Sequence, residues 1–387
     1  MKKTEVVIVG AGLAGLAAAL KCEEEGIDYL LIEKSSTLGG KLKTVEHNGI
    51  ALDVGFQVIP SSYSFLKKLF SLQELKDLKP NYFSSTSLIH INGEVLRFGD
   101  PLRDISVMFS LLKVAKLKDL ILLVKLRLFL LLNSVSTILN DEELNKMSAM
   151  QYLTKKRFSM SFIRKFLEPF FAGVFGSKNL KCSAANFLFC LQAFLRGKVF
   201  IPENGINSLP QLFQQKLSEE KIFTKTEVTK LSGIFHSKQK YKDGLSKSAR
   251  VTIETDKELR IEARHLILST EIENSISLLS PEFLEEEDSY LLNSIQREKY
   301  WNIYFCSNKP VHTRYEIFLN ANSPRIINKG VQVTDELDFE KGSSHPYIIS
   351  LTCLEGDIQK ETIEETSLEE LKELFPHLKQ ADIFHLK

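Results

Sequence analysis

Net charge is almost absent from this 387-residue chain: 50 Lys+Arg stand against 49 Asp+Glu, a formal net of +1. Binding to nucleic acid needs an excess of cations over phosphates, so the balance argues against that class of partner. Together with 43% hydrophobic residues it also argues against a disordered chain. Cysteine is scarce. Cys22, Cys182, Cys190, Cys306 and Cys353 form no C-x-x-C pair, so neither a disulfide framework nor a zinc site can be built, and reduced thiols of a cytoplasmic protein are expected. The histidines show neither metal spacing nor a partnered nucleophile, which leaves metal and Ser-His-Asp catalysis without support. Long uncharged runs are missing as well. The leucine-rich stretch from Ile105 to Leu132 is interrupted by Lys113, Lys116, Lys118, Lys125 and Arg127, so it is not expected to span a bilayer. Met1-Lys2-Lys3 ahead of an apolar run has the look of a secretory signal, but Glu5 and the glycines at 10, 12 and 15 fit one poorly.

What is present is a βαβ pattern at the start. Residues 5–9 read as a buried strand, 13–25 as a helix and 28–33 as a second buried strand, which makes the two strands parallel. Further along, 61–78 reads as helical and 82–98 as strands around Asn92-Gly93. Residues 148–171 read as a helix with Phe158, Phe162 and Phe166 four apart, and 207–218 as another. Strands return over 222–270, and again as Trp301–Cys306, Tyr315–Leu319, Val331–Thr334 and Tyr347–Leu354. Ser367-Leu368-Glu369-Glu370 reads as a capping box, with Leu368, Leu371, Leu374 and Phe375 on one apolar face and the acids on a solvated one.

Between the first strand and helix stands Gly10-Ala11-Gly12-Leu13-Ala14-Gly15, a G-x-G-x-x-G sequence. Gly10 permits the tight turn, Gly12 lets a diphosphate approach bare backbone, and Gly15 lets the helix pack on the sheet. The helix start offers free N–H groups and its positive dipole end to phosphates. Glu33, at the end of the second strand with Lys34 after it, can accept hydrogen bonds from a ribose and would repel the 2′-phosphate of NADP. Strand, glycines, helix and acid together predict a dinucleotide site.

Gly39-Gly40-Lys41, just past the acid, is not explained by an NAD site. Here the chain resembles the flavin-dependent amine oxidase and phytoene desaturase superfamily, whose members follow the acid with Gly-Gly-Arg along the FAD. Lysine keeps the charge but loses the planar fork. Leu52-Asp53-Val54-Gly55-Phe56-Gln57 is similar to that family's D-x-G segment near the flavin ring. The stretch 200–210 is similar to its return into the FAD domain, Thr226-Glu227-Val228 to the strand whose backbone meets the adenine, and 263–270 to the strand that closes that half. The resemblance implies an α/β fold: a Rossmann-like, three-layer FAD-binding domain of the glutathione-reductase and hydroxybenzoate-hydroxylase kind, with an inserted α+β substrate domain. It implies FAD-binding segments at 1–84 and 199–275 and substrate-domain segments at 85–198 and 276–387, the strands at 300–354 flooring the pocket. It implies FAD as cofactor, with Gly10, Ala11, Gly12, Leu13, Ala14, Gly15, Glu33, Lys34, Gly39, Gly40, Lys41, Gly55, Phe56, Gln57 and Val228 against it.

The function that follows is an FAD-dependent oxidoreductase taking hydride from an apolar or amine small molecule. With one G-x-G-x-x-G only, electrons would leave to oxygen, a quinone or another acceptor rather than to nicotinamide. The flavin does the redox chemistry, and no catalytic side chain can be nominated. The family's second flavin segment, a Gly-Asp and glycine-rich helix start, has no counterpart after Gly205. A C-terminally truncated chain that binds FAD weakly or not at all is therefore expected, and stoichiometric yellow flavin would contradict it. The alternatives are a non-catalytic relic acting in binding, and an NAD-binding module. Helices covering the substrate pocket are the preferred reading of 105–132, and peripheral contact with an anionic membrane surface is the second. The ten phenylalanines from Phe158 to Phe200 read as core first and as an apolar tunnel second.

Overall fold

The computed structural model describes residues 1–47, 50–55, 58–234, 250–279, 286–295, 299–312, 316–333, 347–354 and 362–386. The chain divides into two compact units, residues 1–57, 72–79 and 202–296, and residues 58–71, 80–201 and 297–387. Residues 58–71 and 80–84 lie in the second unit because Ile59–Pro60 pairs with Val199–Pro202 and the Phe83 N–H donates to the Val199 carbonyl at 2.9 Å.

The first unit opens as the βαβ pattern predicts. Val6 to Val9 and Tyr29 to Ile32 are buried throughout, as parallel strands covered on both faces must be. Lys2–Val9 runs parallel to Tyr29–Ile32, with Val6 opposite Tyr29 and Val9 opposite Ile32. On its other side it runs parallel to Arg260–Leu268. The full sheet runs Ile222–Phe223, Tyr29–Ile32, Lys2–Val9, Arg260–Leu268, Arg250–Thr255, Val228–Ile234, the last two joined antiparallel. Val7, Val9, Leu30, Ile32, Val251 and Ile253 form one buried face, with Leu278 of the helix Ile272–Leu278 against it. The alternate residues Ile8 and Leu31, both fully buried, face the opposite side. The helix Leu13–Glu24 buries Gly15, Leu16, Ala19 and Leu20 and packs on the helix Ser208–Gln214. The result is a Rossmann-like layered unit.

The second unit holds a seven-stranded mixed sheet in the order Ile383–His385, Tyr300–Ser307, Tyr347–Leu354, Ile327–Gln332, Ile317–Asn320, Thr86–Ile91, Glu94–Gly99. One face packs on the helix Ile363–Leu374 through Ile303, Phe305, Ile349, Leu351 and Leu371. The helices between 108 and 196 form a separate core around Leu130, Phe162, Phe171, Phe187 and Leu188, against Ile89, Phe98 and Leu319. Phe98, Phe162, Phe166, Phe170, Phe171 and Phe187 pack ring on ring there, the packing of a core.

Three expectations are corrected. The helix expected over 148–171 is broken. Arg157 turns to φ +66, and a π-helical turn at Ile163–Leu167 precedes Pro169, whose missing N–H the wider turn accommodates. The segment 61–78 forms two short helices, Ser64–Leu69 and Leu72–Asp77, separated at the extended, buried Phe70. Ser367 and Glu370 make no capping box, because the helix already begins at Ile363. Ser367 Oγ donates to the Glu364 carbonyl at 3.0 Å, and Glu370 turns into the protein rather than to solvent. Tyr315 and Thr334, expected strand ends, lie outside the described residues. Among the described residues no helix is long and apolar enough to cross a membrane.

Candidate dinucleotide site

The glycines divide into two kinds by what surrounds them. A Cβ on Gly15 would lie 1.9 Å from the Gly10 carbonyl oxygen, and one on Gly10 would lie 2.8 Å from the Ser269 carbonyl oxygen with φ already at +97. These two set the approach of helix to strand. A Cβ on Gly12 would meet nothing within 4 Å, so the space beside it is free of protein. Gly12 stands immediately before the helix without a side-chain cap. The amides of Leu13, Ala14 and Gly15 therefore lack intrahelical acceptors and line that space, with Leu13 and Ala14 exposed.

Gly39 and Gly40 complete the loop. The Gly39 N–H donates to the Ala11 carbonyl at 2.8 Å, and Gly39 and Gly40 hold φ +115 and +59. A Cβ on Gly39 would strike the Pro210 ring at 2.7 Å, and one on Gly40 would press the Gly12 Cα at 3.0 Å. The Gly39-Gly40 pair is thus built against the phosphate loop itself. Lys41 is exposed and pairs with Glu271 at 3.3 Å, an exposed contact worth little for stability.

Glu33 is 9% exposed. Its carboxylate accepts the Ala11 N–H at 2.7 Å and the Ser35 N–H at 2.8 Å, one at each oxygen. Each oxygen keeps a lone pair for a ribose hydroxyl. Lys34 is exposed beside it. The Glu33 carbonyl accepts the Thr226 N–H at 3.0 Å, and the Ser35 carbonyl accepts the Lys225 N–H at 2.9 Å. That pairing fixes the segment leading to Val228, which is buried and starts the outer strand.

Gly55 ends the strand Ile50–Gly55 at φ +105, opposite Leu42; Phe56 and Gln57 lie outside the described residues. Asp53, two residues earlier, is buried and accepts Thr44 Oγ1 at 2.6 Å and the Ile206 N–H at 2.9 Å. Burial pushes its carboxyl above the usual range, against the pull of those two bonds. The Asp53 side chain therefore ties the 42–55 hairpin to the turn at Gly205, where φ is +80 and a Cβ would lie 2.8 Å from its Oδ1.

Ser269 was not legible as a site residue. It follows the parallel strand Arg260–Leu268, at the carboxyl end where α/β sheets bind ligands. Its Oγ is buried without a hydrogen-bond partner among the described residues. The residues therefore fit an adenine dinucleotide: bare amides over free space, a buried acid with spare lone pairs, and an orphaned hydroxyl at the strand end. Among the described residues no group of three or more His, Cys, Asp and Glu could hold a metal ion.

The second unit carries a polar ladder that the sequence reading also missed. Asn302 stands opposite Thr352, and Thr352 opposite Lys329, on neighbouring strands and so on one sheet face. Lys329 keeps partial exposure, and burial lowers its ammonium to about 8. Its stem lies where a Cβ on Gly173 would come within 2.6 Å of Cδ.

Comparison with known proteins gives the family and the fold. The family profile described as flavin containing amine oxidoreductase matches residues 13–386. A 4,4'-diaponeurosporene oxygenase from Staphylococcus haemolyticus is 30% identical over 116 residues, covering 28% of this chain and 22% of the relative. A hydroxyneurosporene desaturase from Rubrivivax gelatinosus is 38% identical over 65 residues, covering 17% of this chain and 12% of the relative. The matched stretches thus span less than a quarter of either relative. Putrescine oxidase bound to putrescine superposes with a TM-score of 0.70 at 15% identity, covering 100% of this chain and 85% of that one, a likeness of fold. The chain belongs to the flavin-containing amine oxidoreductase family.

Proposed function

We propose that the chain binds FAD through Gly10–Gly15, Glu33, Gly39 and Gly40 and takes hydride from an apolar or amine small molecule. The observation that carries the reading is the protein-free space over Gly12, lined by first-turn amides and closed by the Glu33 carboxylate. FAD, when bound, supplies the redox chemistry; the chain supplies placement and exclusion of water. First-turn amides neutralise the diphosphate and Glu33 orients the adenosine ribose. The ladder of Asn302, Thr352 and Lys329 gives the sheet of the second unit a polar strip on which a substrate's heteroatom can be oriented. Lys329 Nζ there can hold or release a proton near neutral pH.

Titration of the purified chain with FAD, followed by flavin fluorescence, tests the first step. Anaerobic bleaching of bound flavin by a panel of amines and apolar polyenes tests the second. No saturable FAD binding, or tighter binding of NADH by calorimetry, would overturn the reading. Glu33→Gln should weaken FAD by about 10- to 100-fold, the value of a hydrogen bond to a charged acceptor.

Lys329 gives a pH-dependent expectation. Its folded value lies below that of a free lysine, so the stability it contributes is present above the unfolded value and lost as pH falls through about 8. Lys329→Met should therefore raise urea resistance at pH 7, by on the order of 2 kcal/mol, and this gain should vanish above pH of about 10.5. Trp301, the chain's one tryptophan, sits in the same sheet and reports the transition.

A further inference from the structure

The segment 102–132, helical from Ile105 onward, presents to solvent what a globular protein normally hides. Leu102, Ile105, Phe109 and Leu112 are 78%, 81%, 82% and 55% exposed, and recur at helical spacing. On the following helix, Leu117–Leu132, an unbroken row is exposed: Leu117 at 73%, Ile121 at 52%, Val124 at 59%, Leu128 at 53% and Leu132 at 83%. The spacing of three and four residues puts that row along one side. The opposite side is fixed inward. Leu126 and Leu130 are in the helical core, and buried Asp119 accepts the Ser159 N–H at 2.7 Å and Ser159 Oγ at 2.6 Å. Exposed apolar side chains in such number mark an interaction site.

Charge decides what it meets. Lys116, Lys118 and Lys125 are exposed, and among the described residues none has a carboxylate within ion-pair distance. Lys118 and Lys125, one residue beyond Leu117 and Val124, rim the apolar row. The other cations of the stretch are spent within the protein: Lys113 on Glu94, Arg127 and Arg103 on Asp100. Of the two acids of the stretch, Asp104 accepts the Ser106 N–H at 2.9 Å and Asp119 is buried on Ser159. A second copy docked on this face by a two-fold axis would set lysine rim against lysine rim. A bilayer with anionic headgroups matches both parts, because lysine stems lie along apolar surface while their ammonium groups reach phosphates.

We propose that the outer face of residues 102–132 is an interfacial anchor that lies in the headgroup layer of an anionic bilayer. The row from Leu117 to Leu132 and the cluster of Leu102, Ile105, Phe109 and Leu112 enter the acyl boundary. The helices lie in the plane of the surface and do not cross it. The anchor needs no flavin, so it stands independently of the redox reading.

Flotation of the full chain on a density gradient tests it. The chain should rise with phosphatidylcholine vesicles containing about one-third phosphatidylglycerol, and remain below with phosphatidylcholine alone or at high salt. Ile121→Glu/Leu128→Glu should stay at the bottom with an unchanged circular dichroism spectrum, both positions being exposed. Lys118→Gln/Lys125→Gln should bind the anionic vesicles about 25-fold more weakly, at roughly fivefold per lysine. A Leu128→Trp chain should shift its emission to the blue on adding anionic vesicles. A wild-type chain that stays down with anionic vesicles would overturn the proposal. So would a double glutamate variant that floats as before, an unshifted Leu128→Trp spectrum, or a wild-type dimer that the glutamates split without any flotation.

Discussion

A Gly15→Ala chain is expected to lose FAD affinity by at least about 100-fold and to lose roughly 3 kcal/mol or more of stability in its first unit. The added carbon would sit 1.9 Å from the Gly10 carbonyl oxygen, well inside any contact distance, and the obstacle is backbone that no rotamer can clear. The helix must move away from the strand, carrying the first-turn amides away from where a diphosphate would sit. Gly12→Ala is the informative companion. Its Cβ meets no protein atom within 4 Å, and its φ of −68 suits alanine. Gly12→Ala should therefore fold with stability within about 0.5 kcal/mol of wild type. Its methyl group would instead occupy the volume assigned to the diphosphate, so its FAD affinity should fall nearly as far as that of Gly15→Ala. Fluorescence titration with FAD, beside far-ultraviolet circular dichroism in urea, separates the two effects. If Gly12→Ala bound FAD as wild type does, the space over Gly12 would not be a cofactor site.

The same contrast explains why the first unit was legible in the sequence. A buried parallel strand, a glycine turn and a helix start are local events, encoded within Glu5–Glu33 and readable from residue type and spacing. Ser269 escaped because its relevance is topological. Only when Arg260–Leu268 pairs with Lys2–Val9 does the residue after Leu268 arrive beside Gly15. Asp53 lies in the segment similar to the family's D-x-G, and its carboxylate also holds the hairpin to Ile206, a contact across 153 residues that no local pattern carries. The break at Arg157 and the π-helical turn before Pro169 were hidden by the phenylalanine spacing, which continues through them. Lys329 and the Thr352 ladder depend on strand register, which is set by the whole seven-stranded sheet. The acidic C-terminal segment misled for a related reason. Charge density suggested a solvated face, but one carboxylate in it has an inward task.

That carboxylate is Glu370, and its removal should be the most damaging single change in the second unit. One oxygen accepts the N–H groups of both Ile326 and Ile327 at 2.9 Å, and the other accepts Asn320 Nδ2 at 2.6 Å. Asn320 Oδ1 in turn accepts the Asn322 N–H at 3.0 Å, and Asn322 Oδ1 accepts the Asn92 N–H at 2.7 Å. The helix Ile363–Leu374 is thereby bound to a strand start and to the Asn92 hairpin turn through one side chain. Glu370→Ala strands these donors, at a cost of about 3–5 kcal/mol. With a urea slope of roughly 2 kcal/mol per molar, the Trp301-reported midpoint should fall by about 2 M. Glu370→Gln separates hydrogen bonding from charge. Its amide oxygen can still take both backbone N–H groups, but its NH2 would meet Asn320 Nδ2, whose own oxygen is held by the Asn322 N–H, so the loss should be about 1–3 kcal/mol. Burial raises the folded pKa of Glu370 above its usual value despite those three bonds. Its titration therefore favours folding fully at low pH, and that contribution is lost as pH rises through the folded value. Glutamine has no such titration. The stability of Glu370→Gln relative to wild type should accordingly improve as pH rises from about 4.5, the free glutamate value, towards neutrality. If the two chains kept a constant difference across that range, Glu370 would be solvated and the inward assignment of its carboxylate would be wrong.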